Sequence, residues 1–268
     1  MQGLGMQLIF IAFAASVVGC FSGGSASLSG PLTSTIGSCA PTPCVRVSLS
    51  ALPELPASLS PAAKTVILSD LKKALYASLD VESSEPSQDA IMRELQDRVD
   101  EYKSVSDADI DWSLTRTARL LHSDALITSV EVSSEGYLGG AHGFRERSLM
   151  TFDSRTGTRM GVTDVLGEGA FTTLTKIVEA EFRRARSIRS DQTLQDAGFF
   201  ILPGQEIPVG ENFAITDKGM EIQYNPYEIA PYSMGETRVR IPREAVEPLV
   251  KANLRGVFAG SVESATQH

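Results

Sequence analysis

The run YLGGAHGF, Tyr137 to Phe144, sets His142 among glycines, and it is one of only three histidines in the chain. Histidine does nucleophilic chemistry when it reaches a Ser or Cys on one side and a carboxylate on the other. His122 is followed by Ser123-Asp124 between two alternating apolar runs, so it is expected in a hairpin turn. His268 is the last residue. The chain contains no GxSxG, HExxH, GxxxxGK[ST] or GxGxxG pattern. No catalytic residue, metal set or cofactor is therefore assigned. Glycines on both sides of His142 suit a backbone bend or a close approach of two segments.

The second stretch that could touch a partner is Asn225 to Gly235, NPYEIAPYSMG. Pro226-Tyr227 and Pro231-Tyr232 flank Glu228-Ile229-Ala230, and two prolines at this spacing exclude a regular helix or a central strand. A proline-stiffened loop offers tyrosine contact area with a polar tip at low entropic cost. The same residues also fit a wide connection whose tyrosines merely cover the core.

These two stretches need elements to hold them. VRVSLS from Val45 alternates as a strand. Ser60-Pro61 is an N-cap followed by proline at the first helical position, and Ile67, Leu71, Ala74, Leu75 and Leu79 continue one apolar stripe. A second helix is expected after Ser87, with Ile91, Leu95, Val99 and Tyr102 on one side. Trp112, Leu114, Ala118 and Leu120 mark a strand, and Leu126, Thr128, Val130 and Val132 mark the next. After the glycine run come a strand at Ser148 to Phe152 and a turn at Ser154 to Gly157. A helix from Gly169 to Ile188 follows, with Phe171, Leu174, Ile177, Val178 and Phe182 on its apolar face. Arg183, Arg184, Arg186 and Arg189 cluster at its end, where cations are favoured without any ligand. A hairpin over Phe213 to Tyr224, a strand at Thr237 to Ile241 and a last helix from Pro242 complete the order. Hairpins interspersed with helices point to an α+β fold.

The N-terminus reads as an export signal. Leu8 to Val18 is an apolar run too short to span a bilayer, and Val17-Val18-Gly19-Cys20 looks like a lipobox, although residues 1–19 carry no Lys or Arg. Residues 1–19 are thus expected to be a signal peptide. Residues 20–43 read as a Ser/Gly-rich tether lipidated at Cys20, which places the protein at a bacterial cell envelope on a membrane anchor. In that oxidising compartment Cys39 and Cys44 can pair, a short loop that contributes roughly 2 kcal/mol at most. Residues 44–150 and 151–256 form two halves of the folded part, and 257–268 a loose tail. A net charge of −9 argues against nucleic acid, which demands a basic face.

Taken together, the motifs resemble a known module. YLGGAHG, a strand, TGTRMGVTDVL, an amphipathic helix, ENFAITDKGMEIQYNPYEIAPYSMG and RVRIP resemble the extracellular module of RsiV-type anti-sigma factors, also found at the N-terminus of PdaC-type peptidoglycan deacetylases. The similarity runs from about Val45 to Val250, and GGAHG and NPYEIAPYSMG are its most specific parts. It implies an α+β fold of antiparallel sheets and hairpins with packed amphipathic helices, sited outside the membrane. From the RsiV type it implies a lysozyme-like partner. Sigma-factor control and deacetylation are expected not to carry over, because neither a sigma-binding segment nor a deacetylase domain is recognised in the sequence.

Three readings follow. The first is a non-enzymatic module that binds a lysozyme-like protein or peptidoglycan through Gly139, Gly140, His142, Gly143, Tyr227, Glu228, Pro231 and Tyr232. The second is a cell-wall hydrolase using His142 with Glu228. The third is an envelope protein whose loops serve folding alone.

Overall fold

In this computed structural model residues 30–37, 44–78, 86–105 and 111–259 are described. The signal-like segment, Cys20, and the Cys39 half of the expected disulfide lie outside them. The N-terminal sheet has five strands, β1 Leu32–Ile36, β2 Val45–Leu49, β3 Trp112–Ser123, β4 Ile127–Tyr137 and β5 Phe144–Asp153, in that spatial order. All neighbours are antiparallel except β2 and β3. Strand β1 falls inside the segment expected to be a tether. Its LTSTI sequence alternates and buries Ile36 against the sheet edge, so part of that segment belongs to the fold.

Two helices cover one face of this sheet. Helix α1, Pro61–Leu75, begins where Ser60 Oγ accepts from Ala63 N at 3.1 Å, and buries Ile67, Leu71 and Leu75. Helix α2, Gln88–Val105, contributes Ile91, Leu95 and Val99. These side chains meet Val47, Leu114, Val130 and Phe152 in one core. Arg116 on β3 projects into that same apolar layer, and its chemistry explains why. It is 5% exposed and donates to the carbonyls of Leu75 and Ala77 at the end of α1, and to Ser134 Oγ. Orphan C-terminal carbonyls attract a cation and need donors. Arg116→Lys keeps the charge but cannot span the three acceptors. It is expected to cost about 1–2 kcal/mol, read as a shift in the urea midpoint.

The C-terminal half builds a second core. Strands β6 Phe213–Thr216, β7 Gly219–Tyr224 and β8 Thr237–Pro242 form an antiparallel meander. One face (Met220, Ile222, Val239, Ile241) packs with Leu174, Val178 and Phe182 of helix α4, Phe171–Ala185, which follows the short helix α3, Val162–Val165. Phe171, expected on the buried stripe, shares the face of Leu174 and Val178 but is 43% exposed, because it occupies the first position of α4, at the open end of that stripe. The expected last helix is one turn, α5 Arg243–Val246, followed by 3-10 turns over Glu247–Leu249 and Ala252–Ala259. The latter bury Val257 and Phe258, so the folded part extends three residues into the expected tail. The arginines at the end of α4 and just beyond it have partners within the chain. Arg183 meets Glu179, Arg184 meets Glu181, Arg189 meets Asp191, and Arg186 donates to Met234 O.

The two halves join through polar groups. Edge strand β6 crosses the outer face of β4 and β5, and side-chain hydroxyls satisfy its backbone. Ser129 Oγ donates to Ile215 O at 2.6 Å and accepts from Ile215 N, while Thr151 Oγ1 donates to Phe213 O. Beside them Glu131, 2% exposed, takes three arginines: Arg119 through both carboxylate oxygens, Arg147 at 3.3 Å, and Arg238 of β8 at 2.6 Å. Arg147 also binds Glu236 at 2.9 Å, and Arg238 binds Glu221 at 3.2 Å. Among the described residues no helix is long and apolar enough to cross a membrane.

Candidate functional site

The two unusual stretches meet at the open end of β5. The glycine run connects β4 to β5, and the Pro-Tyr loop connects β7 to β8. Asn225 starts that loop and fastens it to the sheet. Its Oδ1 accepts from Arg147 N at 2.8 Å and its Nδ2 donates to Arg147 O at 3.1 Å. Asn212 repeats the device, accepting from Leu149 N at 2.7 Å and donating to Arg147 O at 2.9 Å. Strand β5 is an edge, and these amides occupy backbone groups that would otherwise invite another strand. Neither asparagine stood out in the sequence, because edge-capping depends on tertiary placement that no local pattern encodes.

The loop then turns on buried Ile229 and Ala230 and throws Tyr227 outward. Tyr227 has φ +70°, N–H donated to Ala230 O, and a 61% exposed side chain. A tyrosine in the left-handed region costs on the order of 1 kcal/mol or more. Pro231 precedes a 3-10 turn, Tyr232–Met234, whose end is Gly235 at φ +68°.

His142 touches both tyrosines. Its ring stacks on Tyr232 with centroids 3.7 Å apart and planes 15° apart, and Nε2 is 3.2 Å from the Tyr227 hydroxyl. Nδ1 is 2.7 Å from Gly143 O. A carbonyl only accepts, so Nδ1 carries a proton, and in the neutral ring Nε2 then accepts from Tyr227. Gly143 O also accepts from the Tyr232 hydroxyl. Both imidazole nitrogens are thus committed within the two loops. Glu228 Oε1 accepts from Asn225 Nδ2 at 3.3 Å, whereas His142 Nε2 meets the Tyr227 hydroxyl, so the two members of the expected His142–Glu228 pair have different partners. This arrangement is an aromatic platform of His142, Tyr227 and Tyr232, in which the imidazole contacts Gly143 O and the Tyr227 hydroxyl.

The glycines serve the same geometry in different ways. Gly139 and Gly140 have φ of +90° and +87°. Gly139 lies on the indole of Trp112, where a Cβ would come within 3.4 Å of the ring, and Gly140 O accepts from the Tyr137 hydroxyl. A Cβ on Gly143 would lie 2.7 Å from Gly136 O. Beside the platform a cleft of about 650 Å³ opens between Tyr232–Glu236 and the outer face of β3, β4 and β5. Among the described residues no group of three or more metal-ligating side chains occurs.

Comparison with known proteins fits this architecture. Residues 163–244 match the family described as "Protein of unknown function (DUF3298)". The peptidoglycan-N-acetylmuramic acid deacetylase PdaC of Bacillus subtilis is 22% identical over 138 residues, which are 50% of this chain and 28% of that protein. The chain therefore corresponds to little more than a quarter of PdaC. A DUF3298 family member from Bacteroides fragilis superimposes with a TM-score of 0.62 at 17% identity, covering 85% of this chain and 94% of its own. A DUF3298 family protein from Pseudomonas aeruginosa PAO1 gives 0.58 at 22% identity, covering 84% and 94%. The chain thus carries a DUF3298 domain within the α+β fold of DUF3298 family proteins, and it is a distant relative of PdaC.

Proposed function

We propose that this protein is a non-enzymatic binding module of the bacterial cell envelope, held at a membrane surface by a lipid on Cys20. It captures an extracytoplasmic partner, a lysozyme-like protein or peptidoglycan, on the His142–Tyr227–Tyr232 platform. The relationship to PdaC supports an envelope setting, and the resemblance to RsiV-type modules supports a partner-binding role. One observation carries the reading. A large aromatic side chain is presented to solvent from a backbone conformation that disfavours it, and strain of this kind persists where a surface is kept for use. An acidic module also attracts a basic lysozyme, which raises the on-rate more than the affinity.

Tyr227→Gly separates function from folding. Glycine adopts φ +70° freely, so stability is expected to be unchanged or up to about 1 kcal/mol higher. Capture of lysozyme or of purified sacculi is expected to fall about tenfold, the loss of one aromatic anchor. Sedimentation with sacculi and surface plasmon resonance on immobilised lysozyme read the binding, and thermal melting reads the fold. Wild-type protein that binds neither ligand removes the proposal.

A further inference from the structure

We infer that the cleft beside the aromatic platform is a subsite for an N-acetylated amino-sugar glycan. This rests on the binding-module reading above and names its ligand class. The floor is hydrophilic: Ser113 and Thr115 of β3 project into the cleft, and among the described residues neither hydroxyl has a hydrogen-bond partner. The charges beside them are already matched, Glu135 by Arg145 at 3.1 Å and Glu236 by Arg147 at 2.9 Å. A floor of open hydroxyls and neutralised charges suits a neutral ligand rich in hydroxyls. It does not suit a phosphate, which would need an unmatched cation. Tyr232 lines the wall, fixed by its stack on His142 and its bond to Gly143 O, and a fixed ring edge or face packs well against a sugar's C–H surface.

The acetamido group is selected by the edge of β5. Arg147 directs both its N–H and its C=O away from β4, toward Asn225. Arg145 is two residues earlier on the same strand and lines the cleft, so its N–H and C=O point the same way. Asn225 already shows how an amide docks on this edge, one oxygen and one nitrogen against one residue. An N-acetyl group has the same amide atoms to offer Arg145. The volume of about 650 Å³ lies within the ~300–1,000 Å³ usual for small-ligand sites.

The test titrates the full chain, purified in detergent, with the tetramer of N-acetylglucosamine and with cellotetraose by isothermal calorimetry. The acetylated tetramer is expected to bind at least tenfold more tightly. Ser113→Ala with Thr115→Val is expected to weaken it at least fivefold, with the melting temperature within 2 °C of wild type and lysozyme capture retained. Equal response to both sugars overturns the inference, as does a response to a peptidoglycan stem peptide in place of the sugar. Sacculus or lysozyme binding without any oligosaccharide response overturns the glycan subsite and leaves the module reading standing. Absence of all three sinks both.

Discussion

Glu131→Gln is expected to lower the melting temperature by about 10 °C at neutral pH. The carboxylate is 2% exposed and is the shared partner of Arg119, Arg147 and Arg238. Glutamine keeps the volume but leaves the cationic groups of Arg147 and Arg238, 26% and 14% exposed, facing a neutral amide at a buried position, while Arg119 stays 57% exposed to water. Breaking a buried ion pair from one side costs about 3–5 kcal/mol, and a protein of this size loses roughly 2–4 °C per kcal/mol. Burial pushes the Glu131 carboxyl up, but bonds from Arg119 and Arg238 and the charge of both outweigh it, so the carboxyl sits below its ordinary range. A depressed carboxyl contributes stability that is present above its unfolded value, about 4.3–4.5, and is lost as pH falls through the folded one. Wild type and E131Q should therefore converge as pH drops below about 4.5. Melts at pH 7, 5 and 3.5 check this, and an offset that stays constant with pH contradicts it.

That seam was the least legible part of the sequence. Ser129, Glu131 and Thr151 lie on strands whose alternate residues include Val130, Val132, Met150 and Phe152, so the alternation puts them on the opposite face and leaves open what covers it. They are buried because a second sheet crosses them, and its edge strand β6 takes its hydrogen bonds from Ser129 and Thr151. Periodicity reports which residues share a face, not what covers the other one. The elements themselves were readable for the same reason: Ser60-Pro61 starts α1, and Leu174, Val178 and Phe182 line α4. The candidate site was half readable. Glycines around His142 and prolines beside Tyr227 and Tyr232 marked two loops that cannot be regular structure. Their meeting, the ring stack and the edge-capping by Asn212 and Asn225 arise from contacts between residues 63 to 89 apart in sequence. The alternative pairing of His142 with Glu228 rested only on both lying in unusual loops, and the backbone turn at Tyr227 puts a tyrosine beside the imidazole.

Gly136→Ala is expected to be the most damaging single methyl in the site region. Gly136 pairs with Leu114 across β3 and β4 and with Phe144 across β4 and β5. A Cβ there would lie 2.0 Å from Ser113 O and 3.1 Å from Leu114 Cα, all main chain. Flexible side chains can step aside from such a clash, but paired backbones cannot. The strands must separate locally, at an overpacking cost of about 3 kcal/mol. The consequence for function follows from position. Gly136 O is also the atom that a Cβ on Gly143 would meet first, and Gly143 O holds both His142 and Tyr232. A displaced β4 therefore moves the platform's anchor as well as the cleft floor at Ser113. Gly140→Ala is the matched control: φ is +87°, but a Cβ there meets nothing within 4 Å. It should cost only the intrinsic strain, about 1 kcal/mol. Urea melts should rank wild type above G140A and G140A above G136A. Near-ultraviolet circular dichroism of the tyrosines should change in G136A and not in G140A. Equal destabilisation by the two would show that backbone torsion, not close approach of β3 and β4, sets the glycine requirement at this end of the sheet.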